Sequence, residues 1–349
     1  MPTIAANHLF AFAEAVFNAA GVPAEESAIV ARSLVDANLC GFDSHGVIRV
    51  VQYVDFLREG QYKAGAPFEV LHETPALLAV DAHFGLGQVQ AHRLLKRLLE
   101  KARTVGLAGG TLRQSAHIGR LGEYAEAAAA QKMAFIATVN SHGHGRRVAP
   151  PGGTTGRIST NPLCMGVPTA TDPIVLDMGT SVVAEGKVRV FFNKGQKVPE
   201  GWLLDEKGRP TTDPAALYGT PGGSLLPFGG AQAYKGFGIG LLLDMFAGGL
   251  SGGRCSNPAV TIKGCNSVLF VVLDIEHFAG AEHFLQEVTG LAEFVRGCPR
   301  AAGVAEIMLP GDPERQQQAR RQREGIMLDD GTWGQLAALA KQLQVPVPA

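Results

Sequence analysis

The 349 residues carry 31 basic and 32 acidic side chains, so the chain has almost no net charge, which excludes a global field able to draw in nucleic acid or an anionic membrane. A hydrophobic content of 46%, 44 glycines and 18% charged residues exclude a disordered chain. They describe a tightly turned protein of about two domains, in the range of metabolic enzymes acting on small molecules. Cys40, Cys164, Cys255, Cys265 and Cys298 are scattered without a CxxC pair, which argues against a disulfide framework or a thiolate zinc site and fits a reducing cytoplasm.

The N-terminus lacks a basic leader region and reads at once as an amphipathic helix through Leu9, Phe12, Ala13, Val16 and Phe17, so no signal peptide is expected. Residues 5–60 read as three helices, broken at Gly21-Val22-Pro23 and at Cys40-Gly41-Phe42. In the third, Val47, Val50, Val51, Val54 and Leu57 form an inward stripe, and Asp43 and Ser44 are good N-cap residues, so a helix is predicted to start near Ser44. His45 and Arg49 then project from one face at its N-terminal end. A proton carrier beside a planar cation that grips a carboxylate at two points suits a small acid; a solvated helix face is the plainer alternative.

A short strand at 76–80 leads through Asp81–Gly87 into a helix at 88–103. Gly85-Leu86-Gly87 matches the start of the dinucleotide fingerprint, but Gln90 occupies the third glycine position and no strand ending in an acidic residue follows at the right distance, which disfavours a Rossmann unit. A strand at 107–113, the loop 115–122 and a helix at 123–132 place His117 at a strand-to-helix join, as a ligand-facing acid or base or as a helix cap. After a strand at 134–139, the run Asn140 to Arg147, with Gly152-Gly153 following, offers backbone amides and two arginines to phosphate. His142 and His144 lack an acidic or thiol partner at ligand spacing, so no metal site is expected.

Beyond Thr160-Asn161-Pro162 a strand at 174–176 ends in Asp177, a position for a catalytic orienter or for a helix N-cap. Residues 201–214 read as a surface hairpin or lid. The glycine-rich run 236–253 contains Asp244 and is bounded by Lys235 and Arg254, which points to a buried, closely packed helix and not to a membrane span. Lys235 at its N-terminus would favour a bound anion. Strands at 260–262 and 268–275, a helix at 281–296, a turn at 309–313 and an ion-laced helix at 315–323 complete the chain, which shows no internal repeat.

Asp43-Ser44-His45-Gly46, His117-Ile118-Gly119, Thr160-Asn161-Pro162, Leu176-Asp177-Met178, Lys235-Gly236 and Leu309-Pro310-Gly311, taken together and in this order, resemble the malate/L-lactate dehydrogenase family that lacks a Rossmann fold. Within it, 115–126, 201–214 and 325–333 look closest to the hydroxycarboxylate dehydrogenase B type. The resemblance implies a non-Rossmann α/β (α+β) fold like that of L-sulfolactate dehydrogenase, a mixed, largely antiparallel sheet flanked by helices. It implies an N-terminal helical region, 1–75, packing with a C-terminal helical region, 310–349, around a cofactor-binding and catalytic sheet domain, 76–309. It further implies a homodimer with its active site near the subunit interface.

Carried over by position, it makes His45 the proton donor and acceptor, Asp177 its orienting partner and Arg49 the substrate-carboxylate clamp, with His117 the other candidate for the acid/base role. Ser141, Asp177-Met178-Gly179, Lys235-Gly236 and Gly311-Asp312 would border NAD or NADP. The expected activity is interconversion of 2-oxo and 2-hydroxy carboxylates, a cyclic-imine reductase being the nearest rival and a non-catalytic binding module the rival of another class. A carboxylate bonded to His45 would raise the pKa of that histidine.

Overall fold

The computed structural model describes residues 1–348. Its main sheet contains β1 (Glu69–Glu73), β2 (Leu77–Asp81), β3 (Leu107–Ala116), β4 (Met133–Asn140), β5 (Leu163–Val167), β6 (Ile174–Met178) and β7 (Cys265–Asp274), in the order β1-β2-β3-β7-β4-β5-β6. The helices are α1 (Ala6–Ala19), α2 (Ala24–Leu39), α3 (Arg49–Arg58), α4 (Gly87–Val105), α5 (Gly122–Ala129), α6 (Glu185–Asn193), α7 (Ala233–Leu250), α8 (Ala281–Arg296), α9 (Asp312–Glu324) and α10 (Asp330–Gln342). Only β2 and β3 run parallel, joined by the α4 crossover that a parallel pair requires; every other neighbouring pair is antiparallel. This is the mixed, largely antiparallel, non-Rossmann sheet expected.

Strand periodicity places the helices. Phe135, Ala137 and Val139 alternate along β4 and share one buried cluster with Leu94 and Leu98 of α4, Tyr124 of α5 and Phe270 of β7. The Phe270 ring lies 5.0 Å from Phe135 and 5.1 Å from Tyr124, and burial of each such ring contributes about 1.5–3 kcal/mol. Asn140, of the opposite parity, reaches Asp244 of α7 on the other face. A second core unites Leu9, Phe12, Val16 and Phe17 of α1 with Val50 and Val54 of α3 and with Ile326, Leu336 and Leu339. Thr3–Ile4 pairs antiparallel with Ile326–Met327 above it. A third cluster, with Val148, Val188, Leu203, Leu217 and Leu225, lies under the hairpin formed by Leu203–Leu204 and Pro210–Thr211.

Three sequence-based expectations are corrected, and one strand went unpredicted. Residues 43–45 form a 3-10 turn and α3 begins only at Arg49, because the Asp43 carboxylate is taken by Asn38 Nδ2 (2.7 Å) and by Arg321 from α9 (2.6 and 3.0 Å), and so cannot cap a helix. Residues 260–262 have no strand partner. The edge strand β1, exposed at every residue, had no apolar alternation to betray it. Finally, α7 is buried on one side only, through Gly236, Gly240, Leu243, Asp244, Ala247 and Gly248; Ile239, Leu242, Met245, Phe246 and Leu250 are exposed. Among the described residues no helix is long and apolar enough to cross a membrane.

Candidate active site

One end of the sheet collects the chemistry. The strand directions bring together the C-terminal ends of β2, β3, β4 and β6 and the N-terminal ends of β5 and β7. The loops leaving that end therefore carry His117, Ser141 and Gly179. Backbone conformations unusual for side-chain-bearing residues gather there too: His83, Phe84, Gln114, His142 and Asn161 all have positive φ, a strain that persists only where surrounding contacts hold it. Gly87 has a packing role in place of a phosphate role. A Cβ there would lie 2.2 and 2.3 Å from the carbonyl oxygens of His117 and Ala116, so only glycine lets α4 start against the His117 turn.

His45 and His117 come from different elements, yet their rings stack 5.5 Å apart with planes inclined by 26°. Tyr53, fully buried and four residues after Arg49 on α3, reaches His117 Nδ1 at 2.6 Å. Its hydroxyl accepts from Gln88 Nε2 at 3.2 Å, so its own proton goes to the imidazole. The Gly119 amide also donates toward that nitrogen. With Nδ1 accepting, the neutral ring of His117 carries its proton on Nε2. His45 Nδ1 pairs with Ser44 Oγ at 3.0 Å. Gly186 at the start of α6 packs against Ser44, where a Cβ would come within 2.8 Å, so α6 lies over the turn.

Arg49 holds its guanidinium with Nε on the Ser44 carbonyl (2.7 Å) and one terminal nitrogen on Gln52 Oε1 (2.8 Å). Among the described residues no carboxylate pairs with it, whereas Arg120 is held at both ends by Glu126. Burial pushes His45 down to about 4, with Arg49 and then Arg120 adding to the effect. His117 falls well below its ordinary value for the same first reason, with Arg49 and His45 contributing. Both rings are therefore neutral at pH 7 in the free protein. Burial also holds the Tyr53 hydroxyl protonated, at about 12.

Asp177 departs from expectation. Its Oδ2 accepts at 2.8 Å from the amide of Gly122, the first residue of α5, which lies 55 positions earlier in the chain, so Asp177 is not the N-cap of a following helix, and no hydrogen bond joins it to His45. The expected rise in the His45 pKa is accordingly replaced by a fall. The Asp177 carboxyl is itself pushed up to about 6, burial outweighing the Gly122 hydrogen bond and Arg120. Ser141 Oγ accepts from the Gly145 amide and tightens the loop after β4. Thr180, after Met178 and Gly179, lies against Gly240 of α7, and Phe228, whose carbonyl crowds Gly236, donates its amide to the Thr180 carbonyl. Lys235 is exposed in the first turn of α7. The Pro310 carbonyl receives the Val175 amide, which sets Gly311 and Asp312 beside β6; Asp312 is engaged by Arg296 and Arg315.

The arginines of the 140–147 run are occupied: Arg146 donates to the carbonyls of Gly143 and Asn257, and Arg147 meets Glu185 at 3.4 Å. His142 is buried against Ser267 Oγ at 3.1 Å. Among the described residues no group of three His, Cys, Asp or Glu side chains could hold a metal ion.

The malate/L-lactate dehydrogenase family model matches residues 4–337. The chain belongs to that family. It is an oxidoreductase of the dehydrogenase type. It is 35% identical over 346 residues to a malate dehydrogenase of Pyrococcus horikoshii, with 97% of this chain and 95% of the relative covered. It is also 35% identical to hydroxycarboxylate dehydrogenase B of Escherichia coli, with 98% and 94% covered. A solved structure of a putative malate/lactate dehydrogenase from E. coli superposes with a TM-score of 0.92 at 34% identity, covering 99% of this chain and 96% of that one.

Within this family site, sequence reasoning passed over Tyr53, Gln88 and Arg120. Tyr53 had one signal, its position one turn beyond Arg49 on the same helix. Gln88 and Arg120 had none, since their partners are distant in sequence or hidden by the chain's path.

Proposed function

We propose that this protein interconverts 2-oxo and 2-hydroxy carboxylates with a nicotinamide cofactor, NAD or NADP, using the imidazole pair as proton donor and acceptor. The observation that carries this reading is Arg49: a guanidinium without a counter-ion, fixed by neutral acceptors, beside two stacked imidazoles. Such a group is prepared to receive a carboxylate through two parallel hydrogen bonds. The bound acid presents its carbonyl or carbinol oxygen to an imidazole Nε2. Its negative charge offsets Arg49, one of the groups that depress both histidines, and so helps a ring to take up the proton that reduction consumes. His45 is the leading candidate for that transfer and His117 the second; for His117 to give or take a proton at Nε2, Nδ1 must carry the proton in the neutral ring and the Tyr53 oxygen must accept it.

The residues fit a dinucleotide: Lys235 is exposed at the N-terminus of an 18-residue helix, a favourable place for phosphate. Ser141, Asp177-Met178-Gly179, Lys235-Gly236 and Gly311-Asp312 are the proposed border of that group. When bound, the nicotinamide supplies or accepts the hydride. A homodimer in a reducing cytoplasm completes the proposal. It is supported by the apolar side of α7, where Leu242 and Leu250 are 54% and 61% exposed, and by five unpaired thiols.

The test is a panel of 2-oxo acids and cyclic imines against NADH and NADPH. Turnover of oxo acids is expected. Turnover confined to pyrroline- or piperideine-2-carboxylate would replace this reading with an imine reductase, and no turnover with saturating cofactor would leave a binding module.

A further inference from the structure

A buried carboxylate on α7 has no part in the chemistry described above. Asp244 is 1% exposed, and its partners are all neutral donors. Oδ1 accepts from Asn140 Nδ2 (2.7 Å) and the Ser256 amide (3.2 Å); Oδ2 accepts from Ser256 Oγ (2.6 Å) and Asn161 Nδ2 (3.2 Å). A carboxylate without a counter-ion is costly to bury, and an apolar side chain would pack α7 on the sheet without that penalty. What the charge adds is an acceptor on which donors from three separate segments converge.

Two arms leave this point. Along the first, the Asn140 carbonyl accepts from Asn266 Nδ2 at 2.8 Å, and Asn266 Oδ1 accepts from the amide of Ile118, the residue after His117, at 3.0 Å. Asn140 Oδ1 also takes the His142 amide at 2.9 Å, at the start of the 141–147 loop. Along the second, Asn161, held at a positive φ of 24°, accepts through its carbonyl from Thr180 Oγ1 at 3.1 Å, three residues after Asp177. The same buried network thus ends on the His117 turn, the loop after β4 and the segment after β6.

We propose that Asp244 is a positioning residue that fixes the His117 turn through Asn140 and Asn266. The functional part of this proposal rests on the dehydrogenase reading. In Asp244→Asn size is kept but one oxygen becomes an amide nitrogen: in the Oδ1 place it faces the Asn140 donor directly, and in the Oδ2 place it faces the Asn161 donor and leaves a single neutral oxygen, a weaker acceptor than the carboxylate, to hold Asn140. Amide hydrogen exchange of Ile118, whose acceptor is two hydrogen bonds away from Asp244, should quicken at least about tenfold beyond any change in global stability. Leu243→Ala, the neighbouring buried residue on α7, serves as a control destabilised without touching the network, and its Ile118 exchange should follow global stability alone. In the same preparations kcat of the cofactor-saturated enzyme should fall about 10- to 100-fold in Asp244→Asn and stay near wild type in Leu243→Ala.

Ile118 exchange that tracks global stability equally in both variants would overturn the proposal. A wild-type protein inactive on every oxo acid would refute the dehydrogenase reading instead, with the exchange comparison still deciding the network. Should Asp244→Asn not fold, Ser256→Ala, which removes the 2.6 Å donor alone, must show the same ordering at smaller amplitude, and its failure to do so would count against the proposal.

Discussion

Replacing Asp177 by Asn should make the folded protein more stable at neutral pH, and the gain should vanish in acid. The Asp177 carboxyl is moved from 3.8 to about 6, mainly by burial. At about 1.4 kcal/mol for each tenfold in the proton equilibrium, holding it ionised costs on the order of 3 kcal/mol. Because its folded pKa is raised, the folded state holds more protons than the unfolded state between 3.8 and about 6. The wild type therefore loses this increment as pH rises through that window. The Asn variant does not, and its side-chain oxygen can still accept the Gly122 amide. His45 works in the opposite sense: its pKa falls to about 4, so its contribution is lost as pH drops from 6.5 toward 4. Subtracting wild type from variant cancels that term. Denaturant unfolding between pH 4 and 8 reads the difference, which should grow by about 2–3 kcal/mol with rising pH. A difference that stays flat across the range would show that Asp177 is not held in a charge-hostile site.

His45→Ala and His117→Ala, compared with each other, should identify the proton carrier, one of them losing about 10² to 10⁴ in kcat with cofactor affinity nearly unchanged in a fluorescence titration. Arg49→Lys should lower kcat/KM for the acid about 10-fold or more although charge is retained, because an ammonium cannot reproduce the planar grip; wild-type kcat/KM would reduce Arg49 to a structural role. Tyr53→Phe strands the Gln88 donor and frees His117 Nδ1, and thermal or urea unfolding should register about 1–3 kcal/mol of lost stability together with a fall in kcat. Leu242→Arg on the exposed side of α7 should convert a dimer to a monomer in light scattering; an unchanged mass would place the interface elsewhere.

Periodic segments were the most legible part of the chain. The helix expected at 281–296 has those limits, and β4 lies within one residue of its expected ends, because both patterns are set by local alternation of apolar residues. The same holds for His45, Arg49 and His117, visible as chemically capable residues beside helix and strand ends. What could not be seen was pairing across the fold. Asp43 looks like a cap until Arg321 arrives, and Asp177 looks like a partner for His45 until the Gly122 amide is found nearer to it. The exposed side of α7 was also hidden, since a helix apolar all round reads as buried whether or not something covers it.

The turn bearing His45 is clasped by a side chain 278 positions later in the chain, Arg321 on Asp43, and the central strand β7 reaches β3 and β4 only after the residues between Ala116 or Asn140 and Cys265 have been synthesised. At about 5–20 residues per second, a nascent chain spends on the order of ten seconds with the facing edges of β3 and β4 unpaired. Those edges are sticky to other chains. Birth on the ribosome is thus the interval in which those edges stand most open to other chains, and the His45 turn lacks its clasp until the helix carrying Arg321 has emerged.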